Sequence, residues 1–270
     1  MKKPFLFTHM LISLDGKIIG NYMRLPEEGD NAADFRSITF AGSGDLPFDS
    51  WMCGRNTAEA DFTYGKAPEL DEQAPPVPAG DFVSIPPVSE NGVKTRYLFV
   101  LDRYGKLGWD SDRIPYGEPA SHVVEVLTEQ ASNAYKDFLR RRGVSYVICG
   151  EDDIDYEVLF AKMVDDFGIQ RLMTSGGSLV SWLMVKRGYA DEVSFMVVPA
   201  ADGDPDTPSM FMAQLGVTDS IPVAFELLDC RPYPDGGVWL HYKVKKVWGK
   251  EEYVETFGLA GKDFLKEANK

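Results

Sequence analysis

Three short clusters in this chain combine residue types that hold phosphate or carry protons. Ser175-Gly176-Gly177-Ser178-Leu179 follows the apolar run Arg171-Leu172-Met173-Thr174 and precedes a helical pattern. A strand, a glycine pair and a helix N-terminus make an anion site, because glycines admit a phosphate close to the backbone and the first helical turn offers unpaired N–H groups. The same residues also read as a tight strand-to-helix turn with Ser178 as N-cap, and the cluster alone leaves both accounts open. Cys53-Gly54-Arg55-Asn56-Thr57 ends a second strand-like run, Phe48 to Met52, before a polar segment able to open a helix. A guanidinium fork and a hydroxyl at a turn suit the phosphorylated adenosine half of a cofactor; a solvated arginine at a helix start is the plainer account. Ser13-Leu14-Asp15-Gly16-Lys17 follows the first strand-like run. Asp-Gly between apolar runs is a hairpin turn, or else it puts a carboxylate at the mouth of an open sheet, where α/β folds bind ligands.

Such clusters need strands to present them. Apolar and β-branched runs predict nine strands, at 4–13, 48–53, 96–101, 122–127, 144–149, 169–174, 190–198, 224–231 and 237–248. Tyr156, Leu159, Phe160, Met163 and Phe167 share one helical face across 155–167, and Leu179, Trp182, Leu183 and Lys186 do so across 177–187. Helices are also expected at 31–40 and 132–142. Strand and helix alternate to about residue 190 and strands alone follow, which implies an α/β fold with a mostly parallel sheet, helices on both faces and a C-terminal antiparallel hairpin. One domain, 1–248, is expected, with a Pro-rich acidic insertion at 65–95 and a charged tail at 249–270.

Composition narrows the function. A formal net charge of −14 disfavours nucleic acid and anionic membrane surfaces as partners. Cys53, Cys149 and Cys230 are odd in number and sit in or beside apolar runs, as buried reduced thiols do, so a cytoplasmic setting is expected. The N-terminal apolar run lacks a cleavage site and no run is long enough to span a membrane. His9, His122 and His241 are isolated, without zinc-ligand spacing, and no metal is expected. No Gly-x-Ser-x-Gly elbow is present either. Chemistry that needs orientation and electrostatics from the protein, and its reactive atoms from a cofactor, fits such a chain.

In this order, the clusters resemble the dihydrofolate reductase superfamily, and more closely the reductase domain of the riboflavin-biosynthesis deaminase-reductase. Ser13-Leu14-Asp15-Gly16-Lys17, Gly54-Arg55-Asn56-Thr57, Gly176-Gly177-Ser178-Leu179 and Gly188-Tyr189-Ala190-Asp191-Glu192-Val193 with Val198-Pro199 carry the likeness. It implies NADPH across the C-terminal ends of the strands, a small heterocyclic substrate of the 5-amino-6-(5-phosphoribosylamino)uracil type, and a homodimer; dihydrofolate-type pterin reduction, or a non-catalytic nucleotide-binding module, is the alternative. Carried over, Gly54, Arg55, Asn56 and Thr57 hold the adenosine-side phosphates, Asp102 and Arg103 line the adenine ribose, and Ser175, Gly176, Gly177, Ser178 and Leu179 cradle the pyrophosphate. Ser13, Leu14, Asp15 and Lys17 border nicotinamide and substrate, with Asp15 as proton donor or relay and bound water as its rival. Asp191 and Glu192 place the next strand. Two departures touch the substrate: Ser175 stands where the riboflavin reductases usually have Glu, and the substrate loop falls on Asn31 to Ile38 without a clear match.

Overall fold

The computed structural model describes residues 1–40, 44–89, 92–214 and 216–258. The chain forms two compact units: Met1–Leu6 with Arg36–Gly177, and Phe7–Phe35 with the chain from Ser178 onward.

In the first unit, β2 (Ser50–Gly54), β3 (Tyr97–Leu101), β4 (Arg113–Ile114), β5 (Ser121–Leu127), β6 (Ser145–Ile148) and β7 (Arg171–Thr174) pair in the order β4-β5-β3-β2-β7, with β6 also on β5. All pairings are parallel except β4 on β5. Every residue of β3 and β5 is buried, which explains the unbroken apolar sequence of β3 and the mostly apolar one of β5: a parallel strand covered on both faces has no solvent side to mark with alternating polar residues. Glu125 is the one acidic residue in that run. The unit's helices are α2 (Arg55–Asp61), α3 (Asn133–Arg141) and α4 (Tyr156–Asp165). Ser132 caps α3 by accepting from the Tyr135 amide, and Asp155 caps α4 by accepting from Glu157 and Val158.

The second unit holds most of β1 (Phe5–Ile12), together with β8 (Glu192–Val197), β9 (Val223–Pro232) and β10 (Val238–Val247). β1 runs parallel to β8, then β10 and β9 follow antiparallel, closed by a Tyr233–Gly237 turn. α5 (Ser178–Lys186) and α6 (Lys250–Phe257) also lie here, while α1 (Pro26–Thr39) passes from this unit into the other.

Each expected strand is present, and the expected helices at 31–40, 132–142, 155–167 and 177–187 correspond to α1, α3, α4 and α5. α1 starts earlier than expected, at Pro26, whose fixed φ suits a first helical turn. Across 65–95 the described residues form no helix or strand, only bridges from Phe82 to Tyr146 and Val88 to Lys94, and residues 90–91 lie outside them. Lys250–Phe257 of the expected tail is helical, and 259–270 lies outside the described residues. One expectation fails: Cys53 and Cys149 are buried, but Cys230 is exposed, because it sits on β9, none of whose residues is buried.

The buried histidines work as neutral hydrogen-bonding groups. His9 stacks on Phe35 at 4.0 Å, with Nδ1 2.9 Å from Ser194 Oγ and Nε2 3.0 Å from the Phe35 carbonyl. Burial, the dominant cause, lowers its pKa to about 4. The folded state therefore binds this proton less readily than the unfolded chain, so stability from His9 is complete above the ordinary histidine value of 6.5 and is lost as pH falls toward 4. Urea unfolding is expected to show a loss of about 3 kcal/mol over that window. His9→Gln should reduce the loss; an unchanged pH dependence in the variant would refute the assignment.

Candidate functional site

Parallel strands deliver their following loops to one sheet edge. Gly54 of β2 pairs with Leu101 of β3, and Met52 of β2 with Thr174 of β7, so α2, which begins at Arg55, and the loops beginning at Asp102 and Ser175 leave the same edge of the first unit. They touch. The Ser175 amide donates to the Met52 carbonyl at 3.0 Å. A Cβ on Gly176 would lie 2.8 Å from Thr57 Cγ2, and Gly176 has a φ of +112°, so both sterics and backbone demand glycine there. Gly177, at φ +86°, continues the turn.

Two guanidiniums stand at this edge, each with a resident partner. Arg55 Nη1 donates to Glu59 Oε2 at 2.5 Å, one helical turn on; burial raises the Asp102 carboxyl above its ordinary value, against the pull of the Lys106 and Leu107 amides and of the Arg55 charge. Arg103 pairs with Asp153 at 3.0 Å, and Thr128 fixes its carbonyl with a 2.7 Å hydrogen bond. Asp102 itself is buried and closes its own loop, accepting from the Lys106 and Leu107 amides at 2.5 and 3.1 Å. Of the pair expected at the ribose, Arg103 is the one whose side chain reaches solvent. Asn56 is exposed beside them.

The second unit treats the Ser13–Lys17 turn differently. Asp15 accepts from Ser13 Oγ at 2.5 Å, the Asp202 amide at 3.1 Å and the Gly203 amide at 2.9 Å. The Ser13 hydroxyl, then these amides, hold its carboxyl well below the usual carboxylate range. A carboxylate held this way is ionised near neutrality, and it binds the turn to the 202–203 backbone. Lys17 Nζ donates to the Thr207 carbonyl at 2.8 Å, and Leu14 is exposed. Asn31 is fully buried, and Gly237 leaves it room, since a Cβ there would fall 1.6 Å from Asn31 Oδ1. Asn31 therefore packs against the β9–β10 hairpin. Ser178 begins α5 with its hydroxyl donated to the Ser209 carbonyl, so it does not serve as the expected N-cap, and Leu179 is 40% exposed. Glu192 accepts from His241 Nε2 at 2.9 Å, tying β8 to β10.

Sequence reasoning missed the buried group behind the Asp102 loop. The Trp109 indole N–H donates to Glu125 Oε1, Tyr135 lies beside them, and the Tyr135 hydroxyl donates to the Leu107 carbonyl at 3.0 Å. The available signal was one glutamate inside an otherwise apolar run.

Residues 4–238 match the profile of the RibD C-terminal domain. The chain belongs to that family. RibD C-terminal domains are the reductase domains of riboflavin biosynthesis, which makes this chain an oxidoreductase by family. Solved structures share the fold. A pyrimidine reductase-like protein from Corynebacterium diphtheriae superposes with a TM-score of 0.60 at 16% identity, covering 91% of this chain and 93% of its own. The riboflavin biosynthesis reductase Rib7 of Saccharomyces cerevisiae gives 0.56 at 16%, with 91% of both chains covered. RibD of Acinetobacter baumannii gives 0.56 at 15%, covering 91% of this chain and 59% of that longer one. Among the described residues, no helix of this RibD C-terminal domain is long and apolar enough to cross a membrane.

Proposed function

We propose that this chain is an NADPH-dependent reductase acting on 5-amino-6-(5-phosphoribosylamino)uracil or a close relative. One observation carries the reading: Arg55, Thr57, Arg103 and the Gly176-Gly177 turn occupy a single sheet edge of the first unit. Two guanidiniums, a hydroxyl and a turn without Cβ atoms form a donor set that fits a dinucleotide phosphate chain, and in a chain of net charge −14 their placement is pointed.

Bound NADPH supplies the hydride. Arg55 and Thr57 would hold the 2′-phosphate end, Arg103 would border the ribose, and Ser175, Gly176 and Gly177 would take the pyrophosphate. For the substrate, the residues proposed are Ser13 to Lys17 of the second unit, with Asp15 donating or relaying the proton and bound water as its rival. Free, buried Cys53 and Cys149 suit a cytoplasmic setting. A homodimer is part of the proposal; Leu227 and Leu228, 54% and 46% exposed on β9, support it, and sedimentation velocity would test it.

NADPH oxidation is expected with the ribosylaminouracil and not with dihydrofolate. Turnover of dihydrofolate with tight methotrexate inhibition would move the reading to pterin reduction, and cofactor binding without turnover of either would make the chain a binding module.

A further inference from the structure

Glu125 is fully buried in the middle of β5. Parallel pairing sets it in one row with Cys53 of β2, Val100 of β3 and Tyr146 of β6. Above that row folds the loop that carries Arg103. Four ties shape the loop: Asp102 accepts from the Lys106 and Leu107 amides, Tyr135 Oη donates to the Leu107 carbonyl, the Tyr135 ring fills the space a Cβ on Gly105 would need, and the Trp109 indole donates to Glu125.

We propose that Glu125 is a positioning residue that holds the Asp102–Trp109 loop in the shape that receives the adenosine half of the cofactor, and that it does so as an un-ionised acid. This role rests on the NADPH reading above. The groups facing Glu125 leave no charge to balance a carboxylate. From β2 comes the Cys53 thiol, from α3 the Tyr135 phenol, and from the loop the Trp109 indole and the Asp102 carboxyl. Arg55 and Lys106 act on Asp102, and Asp61 of α2 acts on Cys53. Burial first, then Asp102, pushes the Glu125 carboxyl well above its ordinary range. Losing its proton would place an uncompensated anion beside Asp102, and the loop would have to open to let water reach it.

If the receptive loop needs the proton, NADPH binds normally below the Glu125 pKa, and above it the apparent Kd rises by up to about tenfold per pH unit. Fluorescence titration with NADPH on the full chain, from neutral pH to the alkaline limit at which the folded chain persists, tests this for wild type, Glu125→Gln and Glu125→Ala. Glu125→Gln keeps an acceptor for Trp109 and cannot ionise, so it should match wild type at the acid end, lack the alkaline rise and leave kcat at saturating NADPH unchanged. Glu125→Ala should bind weakly throughout. An alkaline rise that persists in Glu125→Gln, or is absent from wild type, overturns the proposal. Hydrogen exchange at the Lys106 and Leu107 amides, read without cofactor, gives an independent measurement: wild type should lose protection as pH rises, beyond the intrinsic base catalysis of exchange, and Glu125→Gln should not. Equal loss in both proteins refutes the role of Glu125. Failure of wild type to bind NADPH at any pH refutes only the cofactor reading, and the exchange result still decides the role of Glu125 in shaping the loop.

Discussion

Arg55→Ala should remove most of the preference for NADPH over NADH while leaving NADH affinity nearly unchanged. Arg55 is paired with Glu59, about two-fifths of each side chain is exposed, and such surface pairs contribute only about 0–1 kcal/mol. A 2′-phosphate carries more charge and more acceptors than one carboxylate, so exchanging partners favours the cofactor. Hydrogen bonds to charged groups contribute roughly 1.5–3 kcal/mol. Tenfold is about 1.4 kcal/mol, so the NADPH Kd should rise between about tenfold and about a hundredfold. Fluorescence titration of both nucleotides against both proteins reads the effect. Equal weakening of NADH and NADPH would place Arg55 away from the 2′-phosphate.

Trp109→Ala is expected to cause the largest loss of stability among single substitutions near the site. Trp109 is 1% exposed, and truncating a buried tryptophan to alanine removes about 3–5 kcal/mol. The variant also strips Glu125 of its indole donor. Trp109→Phe separates the two contributions, since it keeps most of the volume and loses only the N–H, at a cost of about 1–3 kcal/mol for the abandoned acceptor. Urea unfolding of the three proteins tests the ordering. A Trp109→Phe protein as stable as wild type would mean that the indole–carboxyl bond contributes nothing.

Strand positions were legible because burial wrote them into the sequence: Tyr97–Leu101 and Ser121–Leu127 are covered on both faces and carry the apolar runs that this requires. The same logic hid smaller elements. β4 has two residues, too few for any period, and α2 is short and polar, with only Ala58 buried. At the site, the Gly-Arg and Gly-Gly turns were readable because glycine and arginine announce unusual backbone and charge. What stayed hidden was their company. Asp15 is tied to the amides of residues 202 and 203, far along the chain, a partnership that no local pattern announces. Asp102 looked like a ligand contact, but its carboxyl is occupied four and five residues ahead by the Lys106 and Leu107 amides. Ser178 has the type of an N-cap and instead reaches Ser209. Residue type shows what a side chain can do, and distant partners decide what it does.

The close approach of Gly176 to Thr57 makes the two positions epistatic. Trimming Thr57 to alanine would clear the space a methyl group at 176 needs, yet the backbone at 176, with φ +112°, would still oppose any L side chain. Relief from the partner is therefore only partial. Thr57 can vary provided that 176 stays glycine, whereas any substitute at 176 is strained in either background, and the constraint between two segments more than a hundred residues apart runs in one direction.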